Sequence, residues 1–256
     1  YVLVHSAAGG VGSMLVQMLK NVYGCKVVGV VGSTHKIEYC KSLGCDLVID
    51  KSKEDLWAVA KAFSPNGKYK VIFDANGVET LQQSYDHLDQ VGKLVVYGFH
   101  SMLPKASKTT GYSLLDGVLN MASFVLQPVN AILPERLQFI INTFFPAQGG
   151  WISPLKWLNM GVDAYLRSPK FNPLDMVPDN KSVLTFNLSF LFGEIDLMVR
   201  GVDEVLAWLE EGKIKPPKVT VYPMSDVGKA HADLESGQTQ GKLVLDTTHG
   251  QAAQIR

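Results

Sequence analysis

The chain has 256 residues, enough for one large domain or for one domain with an appendage. Hydrophobic residues make up 46% of it and charged residues 19%, a composition that excludes a disordered chain. Lysine and arginine together number 24, as do aspartate and glutamate together. The chain therefore lacks the excess of positive charge that would predict a nucleic-acid partner. The three cysteines form no CxxC pair and lie at no metal-ligand spacing with histidine, so we expect a reduced, cytoplasmic protein without a metal site.

Short apolar runs and amphipathic segments alternate through the first hundred residues. The apolar runs predict five buried strands, VLVH (2–5), KVVGVV (26–31), DLVID (46–50), KVIFD (70–74) and KLVVYG (93–98). Apolar residues at helical spacing predict four helices between them, at 10–23, 34–43, 54–63 and 79–88. Thr34 is predicted to cap the second helix and Gly44 to end it.

Strands that are apolar throughout and alternate with helices predict a parallel sheet covered on both faces. This is the doubly wound α/β fold of Rossmann type. Such sheets bind their ligands at the carboxyl ends of the strands, so the functional residues are expected there.

The alternation stops in the middle of the chain. Residues 101–180 are predicted to form a largely helical insertion, in which LLDGVLNMASFVL (114–126) and RLQFIINTFF (136–145) are clear apolar helices. The apolar side chains of 112–145 need a cover, and we expect this segment to form a lid or a dimer contact. A peripheral contact with a membrane surface is the alternative.

Regular elements return after the insertion. The run SVLTFNLSFL (182–191) resumes the strand pattern. An amphipathic helix follows and ends at Gly212, and its apolar stripe consists of Ile195, Val199, Val202, Leu206 and Leu209. The tail predicts a strand VTVYP (219–223), a helix at 225–236 and a strand KLVLD (242–246).

The stretch AAGGVG (7–12) follows a predicted strand and opens a predicted helix, which is the context of a dinucleotide-binding turn. A diphosphate must approach backbone N–H groups at a helix N-terminus, and glycines at positions 9 and 10 leave room for it. Gly12 allows the helix to lie close to the strand, although Ala7 stands where G-x-G-x-x-G has its first glycine. The alternative is a turn that binds nothing; the order of strand, turn, helix and second strand favours dinucleotide binding.

The end of the second predicted strand indicates which dinucleotide binds. NAD sites carry an Asp or Glu there that holds the ribose hydroxyls, whereas this strand ends VVGSTHK (30–36), with no acid before Glu38. A carboxylate would repel a 2′-phosphate, while a hydroxyl and the ammonium of Lys36 would bind it. The sequence therefore favours NADP(H) over NAD(H); the alternative is that Lys36 is a solvated helix residue and Thr34 only a cap.

Several segments resemble the medium-chain dehydrogenase/reductase superfamily. They are AAGGVG (7–12), LGCDLVID (43–50), VIFDANGVETLQQSYDHLDQVGKLVVYG (71–98), GEIDLMVRGVDEVLAWLEEGKIKP (193–216) and HADLESGQTQGKLVLD (231–246). Within the superfamily the chain is most similar to the quinone-oxidoreductase branch, which lacks catalytic zinc. The segment PKFNPLDMVPDNKSVLTFNLSFL (169–191) resembles the vesicle amine transport protein-like members of that branch.

The resemblance implies a set of cofactor-binding residues. They are Ala8, Gly9, Gly10, Val11, Gly12, Gly32, Ser33, Lys36, Lys51, Asn76, Gly98 and Asn187. The first five form the glycine turn, Lys36 takes the 2′-phosphate, and the last three lie where the nicotinamide half binds. Gly32 replaces the family's serine, although Ser33 is adjacent, and Lys51 replaces a tyrosine, which keeps a group for a phosphate but loses stacking. Asn76 is explained equally well as a turn residue.

Members of this family carry a catalytic β domain before the nucleotide-binding domain, whereas this sequence begins at the first Rossmann strand. The resemblance therefore implies a fragment or an incomplete gene model of a larger reductase. We expect a dinucleotide-binding domain at 1–100 and 181–214, the insertion at 101–180, and a C-terminal segment at 215–256 that packs on the catalytic domain.

Two functions stay open at this point. The first, implied by the resemblance, is an NADPH-dependent reductase that transfers hydride to quinones or to activated carbonyl or alkene compounds. It would use NADP(H) and a small-molecule substrate, and we expect a homodimer; the sequence assigns no catalytic residue. The second is a non-enzymatic Rossmann module that uses its apolar insertion to bind a lipid or a protein. A catalytic domain that supplies a second wall to the cleft would favour the enzyme.

Overall fold

This computed structural model describes residues 1–98 and 168–248, together with Val162, Tyr165 and Leu166. The chain divides into two compact units, one formed by Tyr1–His100 with Pro169–Arg256 and the other by Ser101–Ser168. The apolar segment 112–145 lies outside the described residues, so its helices, lid and dimer contact stay predictions.

A parallel sheet forms the centre of the first unit. Its six strands are β1 (Val2–Val4), β2 (Val27–Val31), β3 (Leu47–Asp50), β4 (Tyr69–Asp74), β5 (Leu88–Val96) and β6 (Ser182–Thr185). They lie in the order β3-β2-β1-β4-β5-β6, and every neighbouring pair is parallel. This is the strand order of doubly wound nucleotide-binding sheets, and it confirms the predicted fold class.

Helices follow the first four strands, as the sequence predicts. They are α1 (Gly10–Gln17), α2 (Ile37–Ser42), α3 (Leu56–Phe63) and α4 (Leu81–Asp86). Helix α1 continues as a π-helical turn over Met18–Val22. Gly44 follows α2 with φ at +109°, a conformation that suits glycine, so its predicted place at the helix end is confirmed.

The apolar core has two parts, one on each face of the sheet. Val2 and Val4 pack with Val16 of α1 and Cys40 of α2, whereas Leu3 packs in the other part, with Ala60 of α3. Side chains alternate between the faces of a strand, so one short apolar run supplies both parts of the core. The strands are apolar throughout for this reason.

The predicted cap at Thr34 is wrong. Residues Thr34–Lys36 form a short 3₁₀ turn before α2, and no side-chain cap is formed there. The Thr34 hydroxyl instead donates a hydrogen bond to the carboxylate of Asp50, 2.6 Å away at the end of β3. A tertiary contact with a buried carboxylate therefore takes the hydroxyl away from its local role.

The remaining described elements follow β6 or lie just before it. They are α5 (Pro173–Met176), α6 (Ile195–Glu210), β7 (Val219–Pro223), α7 (Val227–Glu235) and β8 (Lys242–Asp246). Strands β7 and β8 form a separate parallel pair. The predicted amphipathic helix is confirmed as α6, but its apolar stripe is not core, because Ile195, Val199, Val202 and Leu206 are each at least half exposed.

Candidate functional site

The predicted site residues come together at one edge of the sheet. The glycine turn follows β1, Gly32 follows β2, Lys51 follows β3, Asn76 follows β4, Gly98 follows β5, and Asn187 follows β6. All six strands are parallel, so these positions share the carboxyl edge, where doubly wound sheets bind ligands. The role of each residue stays a prediction.

The glycine turn is held tightly against the end of β1. Ser6 adopts φ at +54°, a rare conformation for a residue other than glycine, and its carbonyl accepts a hydrogen bond of 2.9 Å from the Gly9 N–H. A Cβ on Gly12 would lie 2.9 Å from Ala7 Cα and still closer to the Ser6 carbonyl oxygen. Only glycine fits at position 12, because the helix and the strand approach each other there.

Gly10 differs from Gly12 in what surrounds it. A Cβ on Gly10 would meet the side chain of Lys242, whose Nζ would lie 2.9 Å away, and no backbone atom is among its nearest neighbours. Helix α1 begins at Gly10, and its Gly9 N-cap provides no side-chain hydrogen bond. The positive end of the helix dipole is therefore open to a ligand from this side.

A loop of the C-terminal region, residues 236–242, covers the turn after β2. Ser33 Oγ donates to the side chain of Gln238 at 2.9 Å, and Lys36 Nζ donates to the carbonyl of Gly237 at 2.5 Å. His35 Nε2 lies 2.9 Å from the carbonyl of Gln238. Lys36 is buried, with 8% of its surface exposed, and this burial lowers the pKa of its ammonium group.

The same loop is also fastened to the glycine turn. The Gly241 N–H donates to the carbonyl of Ala8 at 2.9 Å, and Gly9 and Gly241 form an isolated parallel bridge. The backbone of the loop is therefore fixed beside the N-terminus of α1. It brings the exposed Lys242 side chain over Gly10.

A carboxylate lies near the end of β2, although the sequence has no acid between that strand and Glu38. Asp50, at the end of β3, accepts hydrogen bonds from Thr34 Oγ1 and, at 2.7 Å, from Ser52 Oγ. These bonds, that from Thr34 first, lower the pKa of Asp50. The neighbouring Lys51 is exposed. Its Cε would lie 4.0 Å from a Cβ built on Gly32, so the two residues are in ordinary van der Waals contact range.

Asn76 belongs to a buried polar cluster between β1, β4 and α4. Its Nδ2 lies 3.4 Å from His5 Nδ1, and its Oδ1 accepts a 3.0 Å hydrogen bond from Ser6 Oγ. On the other side of the ring, His5 Nε2 lies 3.1 Å from Ser84 Oγ, which donates to Asp74 Oδ2 at 2.9 Å. Burial lowers the pKa of His5 to about 4, so the imidazole is neutral near pH 7.

Asp74 has a hydrogen-bond donor at both of its oxygens. Besides Ser84, Thr80 Oγ1 donates to Oδ2 at 2.7 Å, and the N–H groups of Asn76 and Gly77 donate to Oδ1 at 2.8 and 3.2 Å. Asp74, His5 and Ser84 are each fully buried. This fully hydrogen-bonded carboxylate fixes the turn that carries Asn76, which gives that residue a structural role.

The last two predicted positions differ in exposure. A Cβ on Gly98 would lie 2.6 Å from the carbonyl oxygen of Ala75, so the backbones after β4 and β5 approach closely there. Asn187 is exposed and precedes a short 3₁₀ turn over Leu188–Phe190. Gly98 therefore has a structural reason to be glycine that is independent of any ligand.

Sequence reasoning missed the residues that contact the predicted site residues. Lys242 and the 236–242 loop were assigned only to a helix end and a strand start, and His5 and Ser6 were assigned no role. A signal for the loop is present in SGQTQGK, where two glycines, Gly237 and Gly241, both adopt positive φ and are followed by a lysine. No local pattern could reveal that Asp74, Ser84 and His5 meet.

Neither a metal-ligand cluster nor a membrane span is found in the described parts of the chain. Over 1–98 and 168–248, no three His, Cys, Asp or Glu side chains converge to hold a metal ion. No helix among those residues is both long and apolar enough to cross a bilayer.

Comparison with known proteins gives consistent similarities. Two family models, both described as zinc-binding dehydrogenase, match residues 10–140 and 155–245. The chain is similar to the synaptic vesicle membrane protein VAT-1 homolog of Rattus norvegicus, with 28% identity over 245 residues, 95% of this chain and 48% of that protein. It is also similar to a probable quinone oxidoreductase of Leishmania amazonensis, with 38% identity over 96 residues, 38% of this chain and 28% of that protein.

A solved structure shows the same fold. The quinone oxidoreductase of Escherichia coli, crystallised with NADPH, matches with a TM-score of 0.62 at 22% identity, over 96% of this chain and 56% of that one. The chain thus spans about half the length of the curated relatives that it matches over most of its own length.

Proposed function

The chain belongs to the zinc-binding dehydrogenase family, and from this premise we propose that it is the nucleotide-binding part of an NADPH-dependent reductase of quinones or of activated alkene or carbonyl compounds. One observation carries the proposal. The glycine turn, the loop after β2 and the turns after β4 and β5 meet at the carboxyl edge of a sheet with the nucleotide-binding strand order. The probable quinone oxidoreductase and the NADPH-bound structure among the similar proteins support the same cofactor and substrate class.

The glycine turn fits a diphosphate. Gly12 brings α1 against β1, and the N-terminus of α1 has no side-chain cap, so its free N–H groups can hold phosphate oxygens. The atoms nearest to a Cβ built on Gly10 belong to the flexible Lys242 side chain, whose ammonium would stay beside the diphosphate after a small rotation. The glycine turn thus offers backbone donors from one side and a cation from the other.

The loop after β2 fits a 2′-phosphate. Lys36 and Ser33 now bond to the 236–242 loop, to a neutral carbonyl and an amide oxygen. A phosphate dianion is a stronger acceptor than either, so it would replace these partners without leaving a buried group unpaired. Asp50 keeps its negative charge while its two oxygens accept hydrogen bonds from Thr34 and Ser52, so the ammonium of Lys36 has to outweigh its repulsion of the 2′-phosphate.

The bound cofactor would supply a hydride, and the protein would supply position and electrostatics. The turns after β4 and β5 would orient the nicotinamide half, with Asn76 held by its buried partners. The family name refers to zinc, but the described residues offer no three converging ligands, so no step is assigned to a metal.

Titration of the full chain with NADPH and NADH tests the proposal. We expect saturable binding with a preference for NADPH, and loss of binding of both cofactors in Gly10→Val. That variant should fold, because the atoms nearest to its added Cβ belong to a flexible lysine side chain, whereas a diphosphate would be held off the backbone. Gly193→Ala is the matched control, because no atom lies within 4 Å of the Cβ that it adds. Gly24→Ala is unsuitable, because Gly24 has a positive φ that alanine rarely adopts.

Oxidation of NADPH in the presence of a benzoquinone or an enone then tests hydride transfer. Turnover would support a reductase. Binding without turnover of either acceptor would favour the non-enzymatic nucleotide-binding module, and unchanged affinity in Gly10→Val would mean that the glycine turn is structural only.

A further inference from the structure

The polar cluster around Asn76 has a single direction of hydrogen bonding. Both oxygens of Asp74 accept hydrogen bonds, Oδ1 from two backbone N–H groups and Oδ2 from two hydroxyls, so the one hydroxyl proton of Ser84 points to Asp74 Oδ2. Ser84 Oγ must then accept from His5, which places the imidazole proton on Nε2. Since the ring is neutral, its Nδ1 has a free lone pair and accepts from the Asn76 amide.

This order also fixes the amide and the hydroxyl beyond it. With Nδ2 of Asn76 directed at His5, Oδ1 is directed at Ser6. The single proton of Ser6 Oγ is used in that 3.0 Å bond. Every donor from Ser6 to Ser84 therefore points toward Asp74, and Ser6 offers only lone pairs on its free side.

We call the hydrogen-bonded series Ser6–Asn76–His5–Ser84–Asp74 the relay. Ser6 is its one exposed member, and it lies in the candidate site. The Ser6 carbonyl accepts a hydrogen bond from the Gly9 N–H and fills the space where a Cβ on Gly12 would lie. Ser6 is therefore part of the glycine turn itself. Its φ of +54° is a strained conformation for serine, where glycine would be relaxed. A serine at a position where glycine would be relaxed points to a role of its hydroxyl that glycine cannot fill.

We propose that His5 is a positioning residue that orients Asn76 and makes Ser6 Oγ an acceptor-only contact, so that the bound ligand must donate a hydrogen bond to it. The inference rests on the proposed function and adds the direction of one hydrogen bond between that site and its ligand. The matching donor on a nicotinamide dinucleotide is either a ribose hydroxyl or the carboxamide NH₂. His5 touches neither ligand nor hydride and acts only through Asn76 and Ser6.

The first experiment reads the histidine tautomer directly. Nitrogen-15 NMR of the full chain without ligand, at about pH 7, should show the His5 ring protonated on Nε2 alone, with its signals identified by their loss in His5→Gln. In Asn76→Asp the carboxylate cannot donate to Nδ1, and we expect the ring to gain a second proton. A ring protonated on Nδ1 alone, or an imidazolium in the wild type, would overturn the relay.

The second experiment removes the hydroxyl. Ser6→Ala and Ser6→Gly, the latter suited to the positive φ, should each bind NADP⁺ about three- to tenfold more weakly than wild type. Ser42→Ala, an exposed serine outside the site, is the control and should bind normally.

Two further ligands identify the donor. ADP-ribose 2′-phosphate lacks the nicotinamide ring, and the 3-acetylpyridine analogue of NADP⁺ lacks the carboxamide NH₂. A loss confined to NADP⁺ supports the carboxamide as donor, and a loss shared by all three ligands supports a ribose hydroxyl. Normal binding of all three by both Ser6 variants would overturn the acceptor role. Failure of the wild type to bind any of them would overturn the proposed function, while the tautomer would still be measured.

Discussion

The two sides of the candidate site are built from polar groups in opposite ways. On the β2 side, Ser33 and Lys36 bond to a loop from the far end of the chain. On the β4 side, Asp74, Ser84 and His5 bond to one another and are fully buried. The first arrangement can exchange its partners for a ligand, whereas the second is already complete. We therefore expect changes on the β4 side to affect stability and changes on the β2 side to affect binding.

Asp74→Asn should give the largest loss of stability. The amide has only one acceptor oxygen, so two buried donors lose their acceptor, at about 1–3 kcal/mol each. We expect the free energy of unfolding, measured by urea denaturation, to fall by roughly 2–6 kcal/mol. Asp55→Asn is the control, because Asp and Asn cap a helix about equally well and Asp55 caps α3. A loss no larger than that of the control would show that the two sides do not differ.

His5 should make stability depend on pH. The unfolded chain binds a proton at this residue below its ordinary value of 6.5, whereas burial delays protonation in the folded chain to about pH 4. The free energy of unfolding should therefore decrease as the pH falls from 6.5 to about 4, by about 3 kcal/mol in total. His5→Gln should remove this part of the slope and leave the contribution of His87, whose pKa burial also lowers. Equal slopes in the two proteins would contradict the prediction.

Lys36→Ala should act on binding instead. Loss of a charged donor to the 2′-phosphate should weaken NADPH binding by about 1.5–3 kcal/mol and leave NADH binding nearly unchanged. Calorimetric titration of both cofactors measures this, with the exposed Lys41→Ala on α2 as the control. An equal loss for both cofactors would rule out a 2′-phosphate role for Lys36.

Lys242→Met should have the smallest effect. The ammonium is exposed and would act on the diphosphate, which both cofactors share, so we expect about 0.5–1 kcal/mol weaker binding of NADPH and NADH alike. The loss should shrink as salt is added, because the contact is screened. Lys229→Met, on the exposed surface of α7, should change neither affinity. A loss for NADPH alone would place Lys242 at the 2′-phosphate instead.

Sequence periodicity predicted most of the sheet and its helices, because buried parallel strands and their helices carry strong local patterns. It did not predict what covers an apolar face. The valines of β2 and those of α6 look alike in sequence, yet Val28 is fully buried and Val202 is 57% exposed. Coverage depends on which elements meet in space, and no window of sequence contains that information.

The site followed the same rule. The resemblance implied the twelve candidate residues, and their places after the strands predicted that they share one edge of the sheet. The partners of those residues were not predicted, because Lys36 bonds to Gly237 and His5 to Ser84 across long separations in sequence. The absence of an acid after β2 was read correctly, but Asp50 reaches the same place from β3. Tertiary contacts of this kind leave no local signature.

The long separation between Lys36 and the 236–242 loop has a consequence for biosynthesis. The contacts of Ser33, His35 and Lys36 with this loop join residues 201 to 205 positions apart, so they cannot form while the chain is still being translated through its middle. Strands β1 to β5 all lie within the first 96 residues, so the covering loop is synthesised after every one of them. A nascent chain can therefore pair these strands before the loop is present to cover the turn after β2.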